Sequence, residues 1–118
     1  MINKANYNLE ERTYKFGSEI IKLAKLLPVN LVNRKLVDQF VRSGTSVGAN
    51  YREANETETK KDFQFRIRIC RKEAKETVYW LKLLKDANLN FDLKIDPLVQ
   101  EAWEFVKIFA AIVNKTRD

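Results

Sequence analysis

A chain of 118 residues, 45% hydrophobic and 32% charged, has the size and balance of one globular domain, and lacks both the low hydrophobicity of disorder and the long apolar run of a membrane span. Three glycines and two prolines favour long helices over a many-turned β fold, and the absence of histidine removes the usual neutral-pH acid–base group and the commonest metal ligand. A net charge of +6 points to an anionic partner, nucleic acid first.

Residues 1–8 read as a flexible arm of one domain spanning 1–118. The N-terminus has no apolar core of signal-peptide type, so a cytoplasmic protein with no membrane partner is expected. The first helix is predicted from about Leu9 to Leu27, where Phe16, Ile20, Leu23 and Leu27 recur at helical spacing and Pro28 stops it. The second begins near Asn30. Leu36, Phe40, Ser43, Val47 and Ala54 share one face, which runs unbroken through "RSGTSVGANYREANE", residues 42–56. That stretch is therefore predicted to be helix. A phosphate-binding loop would need a preceding strand and the GxxxxGK[ST] spacing. Gly44 and Gly48, one turn apart, make a flat patch for a tight helix crossing.

The third helix is predicted over Lys60–Ala87. Phe63, Ile67, Cys70, Ala74, Val78 and Leu81 form one apolar stripe. Phe65, Ile69, Trp80, Leu83 and Ala87 form a second, with Glu73 and Glu76 in the same face. A third strip carries Lys61, Arg68, Arg71, Lys72, Lys75 and Lys82, six cations within an arc of roughly 100° that could track a phosphate backbone. Tyr79 projects among them and could stack on a base, while Asp86 dilutes the strip near its end. The competing reading is a solvated face with i,i+4 partners such as Lys72–Glu76. After the irregular stretch "NLNFDLKID", a fourth helix is expected from about Pro97 to Lys115, with Asp96 as its cap and apolar residues around well over half its circumference.

Four such helices with short connections make an all-α, antiparallel, up-and-down four-helix bundle. A lone bundle buries one stripe per helix, so the surplus apolar surface on helices three and four predicts a homo-oligomer, with Phe65, Ile69, Trp80 and Leu83 at the interface. The alternative is that the linker or the N-terminal arm covers that face. Arg42, Asn50, Arg52, Glu53, Glu73 and Glu76 read as polar pairs between helices two and three, able to set register. Glu73 and Glu76 have the spacing of a carboxylate metal motif, but no histidine exists to complete it. Ser43, Ser46 and Cys70 lack a histidine partner, and Cys70 sits on the core stripe. No catalytic residue, metal or cofactor is expected, and the chain does not read as an enzyme.

Residues 42–84, "RSGTSVGANYREANETETKKDFQFRIRICRKEAKETVYWLKLL", resemble the bacterial four-helix-bundle proteins encoded in intervening sequences of 23S ribosomal RNA genes. They are similar also to the accessory proteins of diversity-generating retroelements. The shared pattern falls on Arg42, Ser43, Ser46, Asn50, Glu53, Phe63 and Glu76. Ala54 stands where many members have glycine. The variant with "AN-x-x-EA" and "KEA-x-ET-x-x-WL" fits better, through Ala49, Asn50, Glu53 and Ala54, then Lys72, Glu73, Ala74, Glu76, Thr77, Trp80 and Leu81. The resemblance implies a barrel-shaped homopentamer with a basic surface for RNA or DNA and no known catalysis. It also implies an alternative, a structural adaptor whose partner is a protein such as a reverse transcriptase.

Overall fold

The computed structural model describes residues 4–117, with side chains from position 9 onward. Four helices follow in chain order: α1 (Lys4–Leu26), α2 (Leu31–Asn55), α3 (Lys60–Ala87) and α4 (Asp92–Lys115). Each packs on the next and α4 closes on α1, giving an up-and-down bundle 47 × 22 × 19 Å with no strand among the described residues. No described helix is long and apolar enough to cross a membrane.

Local chemistry sets the ends. The Asn30 side chain accepts a hydrogen bond from the Asn33 backbone N–H at 2.8 Å and starts α2. Thr59 caps α3 in the same way, through the Asp62 N–H at 3.1 Å. Asn90, at φ 80°, turns the chain between α3 and α4; asparagine tolerates that left-handed conformation better than most residues.

The Gly/Ser-rich stretch is continuous helix in the middle of α2. A Cβ at Gly44 would stand 2.9 Å from the Ile20 side chain, and one at Gly48 3.1 Å from that of Thr13. The two glycines thus let α1 cross α2 closely enough to bury Ile20 and Thr13 completely or nearly so. The core they close holds Phe16, Phe40, Tyr51, Phe105 and Phe109, with the Phe16 and Phe105 rings edge to face at 5.4 Å.

Two boundaries differ from the expectation. α1 is helical from Lys4, so most of the expected arm is helix, while residues 1–3 lie outside the described residues. α4 begins at Asp92, five residues before Pro97, with Phe91 as its cap and no side-chain capping bond. Pro97 therefore lies inside the helix and forgoes one backbone bond. Burial of Ile95 and Leu98 on either side of it extends the apolar stripe and offsets that loss. Asp96 does not cap the helix; its carboxylate pairs with Lys85 at 2.8 Å, raising the lysine pKa.

Candidate nucleic-acid interface

The seam between α2 and α3 fixes which side of α3 faces out. Polar contacts recur along it. Asn33 and Asn88 are both buried, and each side-chain amide donates to the other's oxygen at 2.8 Å. The buried Ser43 and Thr77 hydroxyls are hydrogen-bonded at 2.8 Å. Arg42 reaches Glu73 at 3.3 Å and Glu76 at 3.7 Å, and Arg66 donates to the Asn50 side-chain oxygen Oδ1 at 3.0 Å. A buried donor left unpaired costs about 1–3 kcal/mol, so a slip of one residue that broke this series would be strongly disfavoured.

With its inner side held, α3 turns the opposite arc to solvent. Lys61, Arg68, Arg71, Lys72, Lys75 and Lys82 are all exposed. None of them makes an ion pair among the described residues, whereas Arg12, Arg42, Arg52 and Lys85 are each paired with a carboxylate. The Lys72–Glu76 pair of the competing reading does not form; Glu76 lies toward Arg42. Asp86 makes no ion pair among the described residues, though its charge helps to raise the Lys85 pKa. From Lys61 to Lys82 the strip rises about 31 Å along the helix, close to one turn of duplex DNA. At one end, the Lys82 ammonium lies 5.8 Å from the Trp103 ring centroid on α4. Toward the other end, Arg68 and Arg71 face Ala110, Val113, Asn114 and Arg117 across a groove of about 360 Å³. Arg117 and Asn114 were not singled out from the sequence. Only the antiparallel register of α3 and α4 brings the end of one beside the start of the other, and no residue spacing encodes that.

The second apolar stripe of α3 divides in the structure. Trp80 packs against the core, and Ile69 and Leu83 are half-buried, but Phe65 remains 60% exposed. Much of the surplus apolar surface is consumed within the chain, since α3 packs on both α2 and α4. The Trp80 indole N–H is the one buried side-chain donor or acceptor without a partner among the described residues. Two members of the expected polar set lie elsewhere. Arg52 pairs with Glu10 of α1 at 3.2 Å, not with α3. Glu53 is exposed, and its side chain has no partner among the described residues. Arg52 thus projects from α2 toward α1 rather than α3.

The chemistry of the interior is quiet. Burial pushes the Cys70 thiol up to about 12, which removes thiolate at neutral pH. Burial, followed by the neighbouring Glu76 charge, raises the Glu73 pKa, and Arg42 opposes both. No group of three or more His, Cys, Asp or Glu among the described residues is placed to hold a metal ion.

The family model of the 23S rRNA-intervening sequence proteins matches residues 6–111. A crystal structure of a protein of unknown function from the S23 ribosomal protein family of Bacteroides thetaiotaomicron is similar at 32% identity, covering 88% of this chain and 96% of that one, with a TM-score of 0.76. Comparison with curated proteins gives no match.

Proposed function

The chain belongs to the 23S rRNA-intervening sequence protein family, and from that premise we propose that it is a non-enzymatic protein that binds RNA or DNA through the outer strip of α3. One observation carries this reading: six exposed cations share a single helix face, and none of the six has a carboxylate partner among the described residues. Unpaired cations leave solvent-screened charge available, and phosphates that replace their counterions gain affinity from counterion release. The strip's reach suits contact with several successive phosphates and makes no demand on base sequence. In the homopentamer that the family resemblance implies, five copies of the strip would add by avidity.

The test is an anisotropy titration of a labelled RNA, with both stems and unpaired segments, and of a random DNA duplex, at about 50 and 200 mM salt. Binding that weakens steeply across that range is the expected result, and the RNA-to-DNA ratio ranks the targets. No binding at the lower salt overturns the proposal.

A second reading, an adaptor that docks a protein such as a reverse transcriptase, is favoured by the other end of the molecule. Leu26, Val29, Leu31, Val32, Leu89 and Leu93 are all at least 57% exposed. The up-and-down topology gathers them at the end formed by the α1–α2 and α3–α4 connections. Contiguous exposed aliphatic surface of this kind marks protein contact more than phosphate contact.

A further inference from the structure

Two aromatic rings stand among the unpaired cations of α3. Phe65 is 60% exposed and Tyr79 58%. Each has a cation four residues before it and another three residues after it: Lys61, Phe65, Arg68 and then Lys75, Tyr79, Lys82. The second set repeats the first after 14 residues, close to four helical turns, so both rings lie near one line on the helix, about 21 Å apart. Helical neighbours at i−4 and i+3 share a face, so each ring is framed by positive charge above and below. The Tyr79 ring is further held by the edge of Trp80, with centroids 5.0 Å apart. Phe65 is mostly exposed to water, and Arg68, three residues on, lines the groove between α3 and α4.

We infer that the strip selects unpaired nucleic acid: Phe65 and Tyr79 stack on splayed bases while the flanking cations hold the phosphates on either side. This rests on the proposed nucleic-acid reading and narrows it. A duplex turns its base faces inward and offers only backbone and groove edges, so rings standing between the cations would gain nothing from it and would hold phosphates away. A single strand offers a π-face with every base, whatever its identity. The span between the rings corresponds to about six stacked nucleotides at 3.4 Å each, within the site sizes of known single-strand grooves. The groove between α3 and α4 then receives a backbone phosphate at the Phe65 end. Arg68, Arg71 and Arg117 present planar guanidinium groups there, which suit phosphate better than lysine does.

The experiment compares labelled oligouridine and oligothymidine of about 12 nucleotides with a duplex of the same length, within the range of single-strand site sizes. The proteins are wild type, Phe65→Ala/Tyr79→Ala and Arg68→Glu/Lys75→Glu. Both rings are exposed, so the aromatic variant keeps the fold, and its circular dichroism and Tm confirm that. The inference expects single strands to bind more tightly than the duplex. It expects the aromatic variant to lose about tenfold or more on single strands with an unchanged salt slope, since stacking releases no counterions. Phe65→Trp restores binding and gives an indole signal that is quenched on stacking. If duplex and single strand bind alike, or the aromatic variant binds as wild type while the charge variant is weakened, single-strand selection is overturned and the nucleic-acid reading stands. If no oligonucleotide binds wild type at low salt, both are overturned. Oligouridine against oligothymidine separates an RNA from a DNA target.

Discussion

The two sides of α3 treat charge in opposite ways. Toward α2, polar groups are matched: Glu73 and Glu76 with Arg42, Arg66 with Asn50, Thr77 with Ser43, Asn88 with Asn33. Away from it, six cations have no carboxylate among the described residues. The difference shows where each set contributes. Ser43, Thr77, Asn33 and Asn88 are buried, so their pairing discriminates one helix register from its neighbours. The outer cations are solvated whether the chain is folded or not, so they add little to folding and their charge stays available to a ligand.

The largest effect is expected at the boundary between the two sides. Trp80→Ala removes a ring packed on the core and costs about 3 kcal/mol, read as a clear fall in Tm. Trp80→Phe costs less, because it also removes the unpaired indole N–H. If both variants melted like wild type, the packing described for Trp80 would be wrong. Next comes Asn33→Leu, which strands the buried Asn88 amide and costs about 2–3 kcal/mol in chemical denaturation. Affinity of the folded variant for nucleic acid should not change; an equal loss in both measurements would mean that the two sides are not separable.

The smallest effect is a pH dependence. Burial raises the Glu73 pKa in the folded state, so between the ordinary glutamate range and that raised value the native state holds more protons than the unfolded one. Stability contributed at this site therefore increases as pH falls through that window and is lost as pH rises through it. Relative to Glu73→Gln, wild type should gain in Tm as pH drops from about 7 toward the ordinary glutamate range. A difference that stays constant with pH would show that Arg42 cancels the desolvation.

The limits of α3, and the passage of α2 through its glycines, were legible because caps and apolar spacing agree there: Thr59 before the third helix, Asn30 before the second, and an unbroken stripe from Leu36 to Ala54. The start of α4 was not, because Pro97 is a common first-turn residue and outweighed Ile95 as a signal. Only the packed neighbour shows that burying Ile95 is the stronger effect. The cationic strip was legible residue by residue, since all six members lie on one arc. Its lack of ion pairs was not. Helical spacing offers Glu76 to Lys72 and to Arg42 across the seam alike, and the distance between α2 and α3 decides for Arg42. For the same reason helical spacing put Arg52 on a polar face without telling which helix that face meets.

The central claim is that the outer side of α3 binds nucleic acid independently of the packing within. The most direct test measures the salt dependence of RNA affinity for wild type and for Arg68→Glu/Lys75→Glu, with Tm recorded on the same samples. The predicted result is a Tm within about 0.5 kcal/mol equivalent of wild type, affinity lower by about tenfold or more, and a salt slope flatter by about two. A variant that folds normally and keeps both the affinity and the slope would contradict the account.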